Sequence, residues 1–191
     1  MNQLTIKSHN IQGIFIRSIQ LEDVTTKYVS WLNDSKVNQY LETRFHKQDI
    51  DSVKNYISLQ LNNPLEQLFT IRTSENEHIG NIKIGSINTI HNVAQVSLFI
   101  GDKKFWGKGY ASQAIRLVSQ YSFQKLRLRK LTASAYTSNI GSIKAFLKAG
   151  YENECILKEH YILDGKPSDV VFMSLFKKPQ DDFIELVVTN K

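Results

Sequence analysis

The sequence predicts one α/β domain of the α+β kind, built on a sheet that mixes antiparallel and parallel strands. The order of elements read from the hydrophobic pattern is β-α-α-β-β-β-α-β-α-β-β, which places antiparallel strands ahead of two strand–helix units. The chain has 191 residues, 41% hydrophobic and 22% charged, which suits a single folded domain. No proline- or glycine-rich linker divides it, since its three prolines stand where the pattern already breaks.

The first half of the chain is predicted to hold one strand, two helices and an antiparallel hairpin. Apolar residues recur every three to four positions in the helical segments and alternate in the strands. The SENE segment at 74–77 marks the hairpin turn. The predicted elements are a strand at 13–19, helices at 22–32 and 49–61, and strands at 68–72 and 79–87.

The second half is predicted to hold two strand–helix units and a closing hairpin around DGKP. Gly150 is a typical stop for the second helix. The predicted elements are strands at 93–101 and 130–136, helices at 110–125 and 139–149, and strands at 151–163 and 170–176. The domain is predicted to run from 13 to 178, with an N-terminal arm at 1–12 and a C-terminal extension at 179–191, either an extra strand or a tail.

Composition narrows the class of protein. No apolar run reaches the roughly 18 residues needed to span a bilayer, and the N-terminus lacks a signal-peptide pattern, so we expect a cytoplasmic protein with no membrane partner. Cys155 is the only cysteine, and it lies in an apolar strand pattern that predicts a core position. The five histidines have no ligand spacing, so no metal is expected.

The net charge is a weaker indication of the partners of this protein than composition is of its class. The formal net charge of +6 favours anionic partners such as a phosphorylated small molecule, although it also serves solubility. The basic run at 125–130 is more typical of a solvated helix end than of an RNA contact, so nucleic acid is not a favoured partner.

A glycine turn between a predicted strand and the helix at 110–125 is the most informative segment. The first N–H groups of a helix have no internal partner and carry partial positive charge. Gly107 and Gly109 let the backbone approach an anion, and Lys104 and Lys108 would add charge. The turn therefore predicts a phosphate or pyrophosphate site.

Two common phosphate-binding motifs do not fit this turn. A nucleoside-triphosphate P-loop needs Gly-Lys-Ser/Thr, but Gly109 is followed by Tyr110. A dinucleotide-binding motif needs a third glycine, where this chain has Ser112, and an acidic residue after the next strand, which is missing.

Three segments together resemble the GNAT N-acetyltransferase superfamily over roughly residues 13–178. KFWGKG at 104–109 resembles the family's Arg/Gln-x-x-Gly-x-Gly/Ala motif and departs from it at the first position. NIGS at 139–142, with LKAGY at 147–151, is similar to the Asn-x-x-Ser and Gly-Phe/Tyr element. LED and WLND, near the start of the chain, resemble the RimJ/RimL branch, which acetylates ribosomal-protein N-termini and related amines.

The resemblance implies a GNAT acyl-CoA N-acyltransferase fold, in which a mostly antiparallel sheet has splayed fourth and fifth strands. Those strands would be 93–101 and 130–136, and acetyl-CoA would lie in the gap, paired with the first of them like another strand. The residues implied to contact acetyl-CoA are Leu98, Phe99, Ile100, Lys104, Phe105, Trp106, Gly107, Lys108, Gly109, Tyr110, Ala111, Asn139 and Ser142.

The resemblance also implies direct attack of the amine on the thioester, so that Cys155 is not needed as a nucleophile. It implies that Ser142 lies near the thiol and acts as a catalytic residue. Many relatives carry a glutamate early in the fourth strand, where this chain has Gln95. Glu42 is our candidate for the base, and the other candidates are His91, Glu159 and His160.

The acceptor is predicted to be a small-molecule amine, and among these a nucleotide-linked or otherwise phosphorylated amino sugar is favoured. The segment from Trp31 to Phe45 resembles family members that acetylate amino sugars, often nucleotide-linked. Tyr40 and Phe45 would stack on the acceptor and Arg44 would pair with a phosphate. The alternatives are a protein N-terminus, as in the RimJ/RimL branch, and a non-catalytic module that binds CoA or RNA. A homodimer is left open.

Overall fold

The computed structural model describes residues 4–178 and 185–190, which form one mixed sheet with helices on both faces. The strands are β1 (Leu4–Ser8), β2 (Ile11–Ser18), β3 (Gln67–Thr73), β4 (His78–Asn88), β5 (Val93–Ile100), β6 (Lys130–Tyr136), β7 (Glu152–Leu163), β8 (Lys166–Phe176) and β9 (Leu186–Asn190). The helices are α1 (Thr26–Asn33), α2 (Ser35–Asn38), α3 (Ile50–Leu61), α4 (Tyr110–Gln124) and α5 (Ile140–Lys148), with 3-10 turns at Leu21–Asp23, Glu42–Phe45 and Lys103–Phe105. No helix in this described part of the chain is long and apolar enough to cross a bilayer.

The sheet confirms the predicted mixed architecture. Its strands lie in the order β7-β8-β6-β5-β4-β3-β2-β1-β9. Neighbouring strands are antiparallel except β5 and β6, which are parallel. Their pairing covers only Val93–Gln95 opposite Lys130–Thr132, and the two strands then diverge. These are the strands that the sequence predicted to splay.

The two faces of the sheet bury different helices. The long helix α4 places Ile115, Leu117 and Val118 in the larger core cluster, whereas α1 and α3 pack in a second cluster. Side chains alternate across a strand, so in β3 Phe69 joins the first cluster and Leu68 the second. Helices α1 and α3 can therefore form a wall of a site along β4 and β5.

The first helix begins later than the predicted Glu22. Asp23 is buried in a 3-10 turn, where its carboxylate accepts hydrogen bonds from Arg17 and, at 2.6 Å, from Arg72. Thr25 then caps α1, its hydroxyl accepting from the Tyr28 N–H at 3.2 Å. The Asp23 carboxylate is held in a buried network of ion pairs, so it is not available in the solvated first turn of a helix. The helix therefore starts after Asp23.

The predicted core position of Cys155 is wrong, because its strand β7 is the edge of the sheet. Cys155 is exposed, and no residue of β7 is fully buried. The closing hairpin turns within the predicted DGKP segment, but its second strand starts earlier than the predicted residue 170: Asp164 and Gly165 adopt positive φ, so β8 starts at Lys166.

Both predicted flanking segments contain strands. β1 comes from the predicted arm at 1–12, and β9 comes from the predicted extension at 179–191. The two pair antiparallel, Leu4 opposite Asn190 and Ser8 opposite Leu186. Residues 1–3, 179–184 and 191 of those segments lie outside the described residues.

His78, at the start of β4, joins the sheet to α1. Its ring lies edge-on to Trp31 and Tyr28, with centroids 5.1 and 5.7 Å apart. Its Nε2 is 3.1 Å from the Gly80 carbonyl oxygen and 2.8 Å from Asn81 Oδ1. Because a carbonyl can only accept, Nε2 carries the proton and donates to both. Burial lowers the pKa of His78 to about 4, and the hydrogen bond to Asn81 only partly opposes the shift.

This lowered pKa predicts a loss of stability in mild acid. Between pH 6.5, the ordinary value, and about 4, the unfolded chain protonates His78 while the folded chain does not. The free energy of unfolding should therefore fall across that window, by up to about 3 kcal/mol from this residue. Denaturant titrations from pH 7 to pH 4 should show a shallower fall for His78→Gln, whose side chain stays neutral. Parallel curves for the two proteins would contradict the assignment.

Candidate active site

Two cavities open on the gap between β5 and β6. The first, which we call the tyrosine cavity, has a volume of about 670 Å³ and is lined by five tyrosines among other residues: Tyr28, Tyr40, Tyr56, Tyr136 and Tyr161. The second, the glycine-turn cavity, has a volume of about 680 Å³ and is lined by the turn before α4 and the start of α5. Six residues line both cavities: Tyr40, Leu41, Leu98, Phe99, Asn139 and Ser142. The two cavities therefore meet at one junction.

The divergence of β5 from β6 creates the gap. At its vertex the Thr132 hydroxyl donates to the Ala94 carbonyl at 3.3 Å, and the Gln95 amide donates to the Ser134 hydroxyl at 3.2 Å. Past the vertex, β6 continues to pair with β8 along its whole length. The outer part of β5 is thus left beside a cavity, with its backbone available to a ligand that pairs like a strand.

The glycine turn has the backbone conformation that an anion site needs. Gly107 and Gly109 have φ of 72° and 84°, the left-handed region that other residues rarely adopt. Gly109 is the N-cap of α4, and no side chain caps the helix there. The first N–H groups of a 15-residue helix therefore face the cavity side without a side-chain partner.

The positive charges of this cavity differ from the two that the sequence predicted. Lys36, Lys144 and Lys148 belong to the lining, and Lys104 and Lys108 do not. The Lys148 ammonium nitrogen lies 4.0 Å from the point where a β carbon on Gly109 would stand, which places it at the start of α4.

Lys104 is held elsewhere by carboxylates. Its ammonium group lies 2.7 Å from Glu77 and 3.7 Å from Asp102, in a surface cluster that also contains Lys27. Lys108 lies over the Phe105 ring, 5.9 Å from its centroid. The contact of these two lysines with acetyl-CoA stays a prediction, and the two lysines of α5 line the cavity from another part of the chain.

The remaining residues predicted to contact acetyl-CoA lie together in the glycine-turn cavity: Leu98, Phe99, Ile100, Phe105, Trp106, Gly107, Gly109, Tyr110, Ala111, Asn139 and Ser142. Trp106 is fixed against the strand end, since its indole N–H donates to the Ile100 carbonyl at 2.7 Å. Asn139 is the N-cap of α5, and its Oδ1 accepts from the Ser142 N–H at 3.2 Å.

Charge in the tyrosine cavity is low. Glu42 lies 3.6 Å from Arg44, and Lys83 lies 3.2 Å from Glu66. Each charged group in the lining therefore has an opposite charge beside it, and the other lining residues are uncharged. The Tyr40 hydroxyl donates to the Ser138 carbonyl at 3.2 Å, and the Tyr40 and Tyr136 rings are 5.8 Å apart.

Arg44 and Phe45 lie outside both linings, although Arg44 contacts the Tyr136 ring that also lies beside Tyr40. The Arg44 guanidinium donates to the Leu41 carbonyl at 2.9 Å, the Tyr136 hydroxyl at 2.8 Å and the Ile162 carbonyl at 3.1 Å. Its side chain is only 12% exposed. A phosphate would have to displace these partners, so the geometry makes Arg44 a support of the cavity wall.

Of the candidate bases, only Glu42 lies in a cavity lining, with its side chain 78% exposed at the rim. His91, Glu159 and His160 lie outside both linings, as does Gln95 at the vertex. Within residues 4–178 and 185–190 no group of three metal-ligating side chains comes together.

The chain belongs to the family of acetyltransferase (GNAT) domains, whose pattern matches residues 14–152. It is 27% identical over 170 residues to the N-acetyltransferase p20 of Bacillus licheniformis, covering 87% of this chain and 94% of the relative. It is 22% identical over 164 residues to the spermidine N(1)-acetyltransferase of Vibrio cholerae, covering 85% of this chain and 92% of that one.

The fold is also that of a solved acetyltransferase. The crystal structure of the Vibrio cholerae spermidine N-acetyltransferase with CoA and spermine superposes with a TM-score of 0.77 at 22% identity, covering 86% of this chain and 95% of that one. The chain is thus an acetyl-CoA-dependent acyltransferase of the N-acetyltransferase class. The RimJ/RimL branch stays a prediction, because the relatives include spermidine acetyltransferases.

Gly109→Val should abolish the stabilisation of the protein by acetyl-CoA. At about 100 times its dissociation constant a ligand adds about 2.7 kcal/mol, and a β-branched residue at φ of 84° distorts the turn that presents the helix amides. Thermal melts with and without acetyl-CoA measure the effect. Gly165→Val is the control, since it imposes similar strain at φ of 75° in the β7–β8 turn, away from both cavities. An unchanged acetyl-CoA shift in Gly109→Val would remove the turn from the binding site.

Proposed function

We propose that this chain transfers acetyl from acetyl-CoA to the primary amine of an amino sugar, by direct attack of the amine. The observation that carries the proposal is the junction of the two cavities at the end of the β5–β6 gap. The glycine-turn cavity offers backbone N–H groups and three lysines to the phosphates of CoA. The tyrosine cavity then holds the acceptor on the other side of the junction.

The residues at the junction supply positioning and proton transfer. The amine nitrogen forms a bond to the thioester carbon while the carbon–sulfur bond breaks, and the backbone of β5 beside Leu98 and Phe99 polarises the carbonyl. Glu42, at the solvent-exposed rim, accepts the proton of the ammonium group through water before attack. Ser142 lines the junction, where its hydroxyl hydrogen-bonds the leaving sulfur, and that sulfur takes up the proton that the nitrogen releases after attack.

The lining of the tyrosine cavity favours a neutral, hydroxylated ring over a linear polycation. Aromatic faces contact the C–H groups of a sugar, and tyrosine and serine hydroxyls pair with its oxygens. A polyamine carries several positive charges, and desolvating them needs carboxylates. Here Glu42 is the only carboxylate in the lining, and Arg44 lies beside it.

A polyamine remains the second candidate, because relatives of this chain are named spermidine acetyltransferases. A peptide N-terminus is the third, from the resemblance to the RimJ/RimL branch. An acetyl-transfer screen with purified protein separates them: free and nucleotide-linked amino sugars, spermidine and spermine, and N-terminal peptides. We expect the highest kcat/KM for an amino sugar. Preference for spermidine or a peptide would overturn the acceptor assignment, and no turnover with any amine would favour the non-catalytic module.

Ser142→Ala should lower kcat by about 10²- to 10⁴-fold with little change in the KM for acetyl-CoA, because the hydroxyl acts mainly in the transition state. Asn139→Ala should instead raise that KM and destabilise the fold by about 1 kcal/mol, since Asn139 also caps α5. Steady-state kinetics and melts distinguish the two. Cys155→Ser, at an exposed edge position, is the control with unchanged kcat. A normal kcat in Ser142→Ala would exclude the proposed role.

A further inference from the structure

The edge strand β7 is irregular where it reaches the tyrosine cavity. Its antiparallel pairing with β8 places Leu157 opposite Val170 and resumes with Tyr161 opposite Ser168. Four residue steps on β7 therefore match two on β8, so β7 holds two extra residues between these pairs. Glu159, in the middle, has φ of 50°, in the left-handed region that a glutamate rarely adopts. This irregularity is a β-bulge, a feature that can re-aim a side chain beside an active site.

The side chain of Asp169, in β8, holds the bulge through both of its oxygen atoms. One oxygen accepts from the Glu159 N–H at 2.9 Å, and the other accepts from the Lys158 ammonium group at 2.8 Å. The bond from Lys158, and after it the bond from the Glu159 N–H, keep the pKa of the Asp169 carboxyl below its usual range. The Asp169 carbonyl accepts from the Thr137 N–H at 3.0 Å, so its backbone is tied to the chain that follows β6.

The bulge decides which side chain of β7 reaches the cavity. In continuous pairing Glu159 would stand opposite Ser168, and Tyr161 would lie two residues, or about 7 Å, further along the strand. With the bulge, Tyr161 takes the place opposite Ser168. Residues 168 and 170 point to the same face of β8, and Val170 and Tyr161 both line the cavity. An aromatic ring thus stands in the wall where regular pairing would place a carboxylate.

The Tyr161 ring is the exposed end of a row of aromatic contacts. Its centroid lies 5.8 Å from that of Tyr136, which in turn lies 5.8 Å from that of Tyr40. The His160 ring lies 4.5 Å from the Tyr161 ring and supports it within the bulge. Tyr136 is only 6% exposed, whereas Tyr161 is 45% exposed. Tyr136 therefore forms part of the wall itself, and Tyr161 offers ring surface to a ligand.

We propose that Tyr161 is a specificity-determining residue whose ring packs against the C–H face of the acceptor, and that Asp169 is its positioning residue through the β7 bulge. This inference rests on the proposed function and adds the surface on which the sugar ring lies. Aromatic rings bury a large apolar area at such a contact. The contact is made equally in the ground state and the transition state, so it acts on acceptor binding and not on the chemical step.

The KM for the acceptor tests the role of Tyr161, with the amino sugar that the screen ranks first. Tyr161→Ala should raise this KM about fivefold or more and leave kcat within about twofold, because the ring contact is lost. Tyr161→Phe keeps the ring and should stay within about twofold of the parent. Ile156→Ala is the matched control, since Ile156 is also exposed on β7 but lies before the bulge and outside both linings. An unchanged KM in Tyr161→Ala, or an equal rise in Tyr161→Phe, would overturn the assignment.

Asp169→Ala tests the positioning role, because it removes both bonds to the bulge and keeps the carbonyl that pairs with Thr137. It should raise the acceptor KM about as much as Tyr161→Ala, and the double variant should be no worse than Tyr161→Ala alone. Asp169→Asn keeps an oxygen for the Glu159 N–H and should recover most of the loss. The KM for acetyl-CoA and the melting temperature with acetyl-CoA verify that each variant is folded. Additive losses in the double variant, or an unchanged KM in Asp169→Ala, would exclude the positioning role.

Failure of this inference and failure of the proposed function give different results. If the screen ranks spermidine or a peptide first, the proposed function fails, and the same kinetics with that amine decide on Tyr161: a raised KM in Tyr161→Ala supports the contact, and an unchanged one excludes it. If an amino sugar is turned over with an unchanged KM in Tyr161→Ala, only this inference fails. If no amine is turned over, calorimetric titration of D-glucosamine into the CoA-bound protein replaces the kinetics. Weaker binding by Tyr161→Ala then supports the contact, and equal binding or none excludes it.

Discussion

The divergence of β5 from β6 is the constraint on which the site depends. Two parallel strands that paired along their full length would satisfy each other's backbone and leave no room between them. Here only three residue pairs form, although on their other edges β6 pairs with β8 along its whole length and β5 pairs with β4. The backbone of β5 beyond Gln95 is consequently open to a ligand, and both cavities end on it. The role proposed for each residue follows from where that residue lies relative to this opening.

The two cavities differ in charge, and this difference favours a different kind of ligand in each. The uncapped start of α4 and the lysines of α2 and α5 make one side attractive to phosphates. On the other side Glu42 and Lys83 are each paired with an opposite charge, so selection there rests on shape and hydrogen bonding. The net charge of +6 is therefore no guide to the acceptor, although it is consistent with an anionic co-substrate.

The sequence allowed most elements of the fold to be predicted, and most of the residues expected to contact acetyl-CoA lie along one cavity, for reasons that differ by element. The glycine turn and the Asn139 cap depend on local chemistry, which is visible in a sequence, whereas the splayed strands were expected only from the resemblance to the GNAT superfamily. The position of Lys148 beside the glycine turn and that of Asn81 in the lining of the tyrosine cavity depend on contacts between segments that are distant in the chain. No spacing of residues in the sequence reveals such contacts. Cys155 was misplaced because an apolar strand pattern does not distinguish an edge strand from a central one. The ion pair of Lys104 with Glu77 could not be foreseen either, because the two residues are distant in sequence.

One segment of the tyrosine-cavity wall has little regular structure. Residues 39–49 contain only one short 3-10 turn, so tertiary contacts must hold them. Arg44 supplies those contacts, because its guanidinium group donates hydrogen bonds to Leu41, Tyr136 and Ile162. A phosphate would have to displace these partners, so Arg44 acts first as a support of the wall. The rest of the lining is made largely of tyrosine rings, aliphatic side chains and hydroxyl groups, so a ligand of this cavity meets aromatic faces and neutral hydrogen-bonding groups rather than unpaired charges.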